Sequence, residues 1–199
     1  MIVKETSYEV SEPTVDSQVV TLQGSGADTF LIAAIPKFAA QAIRKAFDIG
    51  WMPVRYLYFA GSSITATLKP AGFDKSKGLI TTSSTKDPTD ARWKDDPGFK
   101  VYAAFIAKYM SPAEFAEFEA VAGFGAAATL IQVLKQCGDD LSRENIMRQA
   151  TNLKDLELPM LLPGIKVNTS PDNFYPIRQM QLASFNGESW VQFGDILSG

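Results

Sequence analysis

The 199-residue chain contains no histidine and a single cysteine, Cys137. That inventory removes Ser-His-Asp and Cys-His catalysis, and with them histidine-ligated and thiolate-cluster metal sites. One cysteine forms no intrachain disulfide and fits either redox compartment. The carboxylates that stand together, Asp95-Asp96 and Asp139-Asp140, are adjacent pairs in turns, not opposed pairs built for acid–base work. Gly24-Ser25-Gly26 has the composition of a phosphate loop, but it precedes a strand-like run where a phosphate loop follows one. What remains for chemistry is recognition by hydroxyls, lysines and aromatic rings. No enzyme, metal site or cofactor is therefore expected, although catalysis by carboxylates or lysine stays open.

Charge narrows the partners. Nineteen Lys+Arg stand against 22 Asp+Glu, for a net charge of −3. No basic run is longer than two residues, so a surface that tracks phosphates, and hence a nucleic-acid partner, is not expected. No apolar stretch reaches about 18 residues, so no membrane span is expected either. Hydrophobic residues at 46% and charged residues at 21% are globular proportions.

The elements that must position any site follow from periodicity. MIVKETSYEV shows none of the marks of a secretory leader and reads as a strand over residues 2–10. Val15, Val19 and Leu22 then fall at helical spacing, closed by Gly24 and Gly26. TFLIAA (29–34) is a continuous apolar run, as expected of a strand buried on both faces. The stripe Ala39, Ala42, Ile43, Ala46 and Phe47 predicts a helix with Gly50 as its cap. VRYLYFAG (54–61) predicts a strand, ITATLKP (64–70) a short helix, and GLITTSS (78–84) another strand. This β-α-β-α-β-α-β order predicts a parallel, right-handed α/β layer. Ligands of such layers bind beyond the carboxyl ends of the strands. Here those ends are Ala34-Ile35-Pro36-Lys37, Gly61-Ser62-Ser63-Ile64 and Ser84-Thr85-Lys86.

Beyond residue 85 the pattern is helical. GFKVYAAFIAKYM predicts one helix. Ser111-Pro112-Ala113-Glu114 has the order of a capping box for a second, running to Leu134 with Gly123 and Gly125 as interruptions. Ser142 caps a third, RENIMRQATNL. LPMLLPG is a Pro-bounded turn. The tail predicts a β-hairpin, with Asn186-Gly187 as a type I′ turn. FGAAATLIQVL is apolar almost all round, which asks for burial on more than one side.

Three stretches carry a resemblance: PTVDSQVVTLQGSGADTFLIAAIPKFAAQAIRKAFDIGW, LKPAGFDKSKGLITTSSTKDPTDARWKDDPG, and the run from LIQVLKQCGDD to SFNGESW. In their order the chain resembles the carboxy-terminal portion of a type I periplasmic substrate-binding protein, of the branched-chain-amino-acid class of ABC transporter receptors. Members of that family are about twice this length, two lobes where one compact domain is typically 100–150 residues. The resemblance implies an α/β fold with a flavodoxin-like parallel-sheet lobe, helices from a second, incomplete lobe, and a C-terminal β-hairpin. It divides the chain into 1–85, a second-lobe α/β segment; 86–165, helices of the first lobe; and 166–199, the crossover and hairpin. It also implies that Met1 stands in the middle of a fold.

The function so implied is capture of a small organic solute in a cleft between lobes that close by a hinge, followed by docking on an ABC permease in the periplasm. Carried over by position, the ligand loops are Ile35, Pro36 and Lys37, and Ser62, Ser63 and Ile64. Phe124 falls where the family often has an aromatic at the cleft. Amino-acid binders of this class hold the ligand ammonium with an acidic side chain in the second loop. Here that loop reads GSSIT. The departure favours a neutral or anionic solute, such as an aromatic or other carboxylic acid, over an α-amino acid. The implied partners are the ligand, the permease, and an amino-terminal lobe or a second copy covering the helices. The residues alone leave other roles open. Ser62 and Ser63 can serve the loop backbone, Lys37 can be a solvated lysine, and Phe124 can be core. A truncated interaction module or a ligand-sensing domain stands as the alternative function.

Overall fold

Residues 1–199 are described by a computed structural model, a mixed α/β chain with one five-stranded sheet in the order β1-β2-β3-β4-β5. The strands are β1 (Thr29–Ile32), β2 (Val54–Leu57), β3 (Ile80–Ser83), β4 (Gln179–Phe185) and β5 (Trp190–Ser198). β1 pairs with β2 in parallel, Thr29 opposite Val54 through Ile32 opposite Leu57, and β2 pairs with β3 in parallel at Tyr56 and Ile80. The longer helices are α1 (Asp16–Gln23), α2 (Pro36–Asp48), α3 (Pro97–Tyr109), α4 (Phe118–Cys137) and α5 (Arg143–Ala150). The chain forms two units, 1–82 with 182–193, and 83–181 with 194–199.

The first unit is the parallel layer. α2 buries Phe38, Ala39, Ala40, Ala42, Ile43 and Ala46, the stripe its spacing predicts, against Phe30 and Ile32 of β1 and Leu57 of β2. Gly50, at φ 69°, closes the helix, with its N–H on the Phe47 carbonyl at 2.9 Å. Two expectations fail here. Residues 2–10 form no strand; no strand pairs with their backbone, whose Ser7 and Glu9 carbonyls instead accept from Gln18 Nε2 and the Glu12 N–H, and residues 1–7 and 9–11 are exposed. β1 is buried on one face only. Phe30 and Ile32 point at the helices, whereas Leu31 is 67% exposed, and Val54 and Tyr56 of the neighbouring strand are exposed too. A continuous apolar run thus lies in a sheet whose second face has no layer on it.

Arg55 alternates onto the buried face of β2. Its Nη1 and Nη2 donate to the carbonyls of Lys75 and Lys77 at 2.7 and 2.8 Å. Burial lowers its pKa below the ordinary arginine value. The guanidinium ends the single helical turn Phe73–Ser76 and leads the chain into β3.

The second unit is helical with a folded turn. Asp96 caps α3, accepting from the Phe99 N–H at 2.8 Å, and also takes Lys86 Nζ at 2.6 Å. Lys86 Nζ donates as well to the Pro159 carbonyl at 2.8 Å. Burial raises the Asp96 carboxyl, but the Lys86 bond and charge and the Phe99 N–H outweigh it and leave the group below the usual range. A methyl on Gly98 would collide with the Pro159 carbonyl oxygen, so this packing of α3 on the 158–164 turn requires glycine. The second unit has two cores: Val133, Cys137, Leu153, Leu161, Leu162, Ile165 and Val167 around α4 and the turn, and Tyr102, Ile106, Val121 and Met160 around α3.

α4 departs from the sequence reading. The Glu114 side chain does accept the Ser111 N–H at 2.8 Å, but it closes a 3-10 turn, Pro112–Ala116. Extended Glu117 then separates that turn from α4, which runs without a break through Gly123 and Gly125. Each glycine costs a helix about 1 kcal/mol, and burial of Val121, Val133 and Cys137 outweighs that. At 20 residues α4 is long and apolar enough by composition to cross a membrane, contrary to the expectation that no segment would be. Leu130 and Ile131 on it are more than half exposed.

The tail is the expected hairpin, with a different turn. Asn186 does not adopt positive φ, as type I′ requires; only Gly187 does, at φ 108°. The Asn186 side chain instead accepts the N–H groups of Glu188 and Ser189 at 2.8 and 2.9 Å and rounds off a four-residue loop.

Candidate functional site

In the first unit the carboxyl ends of β1 and β2 release the two loops singled out by the sequence. The first turns at Ile35 into α2, with Pro36 in the first helical turn, where its missing N–H costs nothing. The second makes one 3-10 turn at Phe59–Gly61, then Ser62 and Ser63, then a π-turn over Ile64–Leu68. Pro70 follows that π-turn by two residues. Its ring would clash with the Ala66 carbonyl in a regular α-helix, and the wider π-turn relieves the clash.

Gly61 fixes how close the loops come. A methyl there would meet the Ala34 carbonyl oxygen at 2.6 Å. Only glycine lets the end of the 3-10 turn lie against the β1–α2 loop. The Tyr58 N–H donates to the Ile32 carbonyl at 2.9 Å and continues the pairing to the base of both loops.

Each side chain can now be placed. Ile35 is exposed, and its carbonyl accepts from Phe38 and Ala39. Lys37 is exposed, with Nζ 4.8 Å from the centroid of the Phe38 ring. Ser62 Oγ donates to the Phe59 carbonyl at 2.6 Å, and the Ser62 carbonyl accepts Trp190 Nε1 at 2.9 Å. Ser63 Oγ accepts the Ala66 N–H at 3.1 Å and lies 3.2 Å from Thr65 Oγ1. Both serines thus shape the second loop through local bonds. Ile64 is buried in the core of the first unit. Phe124, in the second unit, packs edge-on to Tyr102 at 5.4 Å and tilted against Phe105 at 5.3 Å. The third strand end leads into the second unit, where the Lys86 N–H donates to the Met160 carbonyl at 2.8 Å.

Three participants escaped sequence reasoning. Tyr8 accepts the Ile35 N–H at 3.1 Å, and its ring lies tilted against Phe38. Alternation made it part of a strand, and no local signal marks it otherwise. Gly61 is an ordinary glycine until the neighbouring loop is seen. Trp190 lies 128 residues from the loop it anchors.

The arrangement is two adjoining loops at the carboxyl ends of parallel strands, offering hydroxyls, backbone groups and one ammonium, with no carboxylate among Ile35–Lys37 or Gly61–Thr65. The sequence profile described as periplasmic binding protein matches residues 1–189. The chain belongs to this family. The fold agrees. A branched-chain amino acid ABC transporter structure from Thermus thermophilus with bound valine superimposes with TM-score 0.78 at 12% identity, covering 93% of this chain and 50% of that one. A leucine binding protein from Thermotoga maritima gives TM-score 0.71 at 15% identity, covering 98% and 51%. A substrate-binding periplasmic protein from Ralstonia solanacearum gives 0.71 at 21%, covering 94% and 51%. The chain thus has the type I periplasmic binding fold and spans about half the length of these structures. No curated protein matches it in sequence.

Proposed function

We propose that this chain is the carboxy-terminal portion of the substrate-binding component of an ABC importer, which captures a small organic solute in the periplasm. The solute is a carboxylate, an aromatic acid or an amino acid, and the absence of an acidic side chain in Gly61-Ser62-Ser63-Ile64-Thr65 favours an acid without an ammonium group. The observation that carries the reading is the contact of the two strand-end loops at Gly61 and Ala34, inside a chain that matches the periplasmic binding family over residues 1–189. Ile35, Pro36, Lys37, Ser62, Ser63 and Ile64 are the proposed ligand contacts, and Phe124 a proposed wall. Residues 1–85, 86–165 and 166–199 are the proposed second-lobe segment, first-lobe helices and crossover. The proposed partners are the solute, a permease, and an amino-terminal lobe.

The test is the melting temperature of the protein with benzoate, aliphatic monocarboxylates, and valine or leucine added in turn. A ligand at about 100 times its Kd stabilises by about 2.7 kcal/mol. Carboxylic acids are expected to raise the midpoint more than amino acids do. A rise with amino acids alone would reverse the ligand assignment, and no rise with any solute would count against the receptor reading. The exposed residues Leu130, Ile131 and Leu134 of α4 favour one second reading, a module that associates through this helix.

A further inference from the structure

Residues 1–7 have no regular structure and are exposed, but Tyr8 is held. Its ring lies 4.6 Å from that of Phe38, which is fully buried in the first core. Its hydroxyl accepts the Ile35 N–H at 3.1 Å. A phenol that accepts one hydrogen bond still has its own proton to give, and no acceptor in the protein takes it. The same Phe38 ring carries Lys37 Nζ, 4.8 Å from its centroid, and Lys37 has no carboxylate partner. Two donors, one neutral and one cationic, thus each border the same buried ring at the start of α2. The hydrogen bond to Ile35 and the ring contact fix the phenol; the charge of Lys37 supplies the attraction.

We propose that the Tyr8 hydroxyl and the Lys37 ammonium form a carboxylate subsite, with Tyr8 Oη donating to one carboxylate oxygen and Lys37 Nζ pairing with the group. Donors directed at an ionised oxygen make the stronger class of hydrogen bond. Tyr8 also accepts the Ile35 N–H, so it positions the first ligand loop while it contacts the ligand. The subsite rests on the receptor reading and names the chemical group that the reading leaves open.

The test is nuclear magnetic resonance titration of the isotopically labelled chain, which registers even millimolar binding. The probes are sodium benzoate, benzamide as the same ring without the charge, and valine. Benzoate is expected to shift the Ile35, Lys37 and Phe38 amides, and benzamide to leave them in place. Tyr8→Phe keeps the ring contact, Lys37→Gln changes an exposed side chain, and each is expected to weaken benzoate binding about three- to tenfold. Spectra that otherwise superimpose would show that both variants fold. If benzoate bound Tyr8→Phe as tightly as the parent chain, or shifted only the 62–64 amides, the subsite would be wrong and the receptor reading would stand. If no probe shifted any resonance, both would fall.

Discussion

Gly61 shows how one residue governs the proposed site. Its α-hydrogen faces the Ala34 carbonyl at a distance no methyl group tolerates. Gly61→Ala is expected to force the two loops apart and to cost about 2 kcal/mol, the usual range for overpacking at a rigid backbone contact. Denaturant unfolding would measure the loss, and ligand titration would show weakened binding beyond it; an unchanged midpoint would mean that the loops are not held together as described. Tyr102 makes a second residue-scale case. It is fully buried, donates to the Phe115 carbonyl at 2.8 Å, and burial pushes its pKa up to about 12. A folded pKa raised above the unfolded value, about 10, gives stability that is present below pH 10 and lost as the pH climbs toward 12. Absorbance titration should find one tyrosine ionising with unfolding near pH 12, and Tyr102→Phe should remove that phase. The sequence announces Lys37, Ser62 and Ser63 by their place after strands. It is silent on Tyr8 and Gly61, because neither partner, Ile35 or Ala34, is near in the chain.

At the scale of elements, most of the order was legible. α1, α2, α3 and α5 stand where the sequence spacing places them, and each starts at a polar or proline residue; α2 buries a full apolar stripe and α3 Tyr102 and Ile106, whereas α1 buries Val19 alone and α5 only Asn145. β1, β2 and β3 are shorter than their apolar runs, because pairing and not hydrophobicity ends a strand. Two misreadings have physical causes. Residues 2–10 have strand composition but no strand beside them. Gly123 and Gly125 are poor helix formers whose cost the packing of α4 overrides. α4 also supports a prediction. Leu130 and Ile131 are exposed apolar residues on a helix nearly apolar all round. The chain by itself is expected to associate with rising concentration, and the double substitution Leu130→Lys, Ile131→Lys to shift it toward monomer in sedimentation. Identical sedimentation of the two proteins would show that this face drives no association.

For the whole molecule, fold and family follow from different signals. The β-α-β pattern alone identifies a parallel layer, shared by many folds. The helices, the Pro-bounded turn and the hairpin, in their order, identify the type I periplasmic binding fold, and the superpositions at 12–21% identity agree. The ligand was less legible, since the chain spans about half of those structures and GSSIT argues only against an ammonium partner. The proposed role is that this chain reads a small carboxylate as part of an import receptor. Native mass spectrometry of the species that carries the sequence, isolated from the cells that make it, tests this most directly. It reports the mass of the assembly and of any solute held in it. The expected result is a periplasmic species with one small carboxylic acid, released on gas-phase activation. A 21.7 kDa chain found only as solute-free homo-oligomers would contradict the claim.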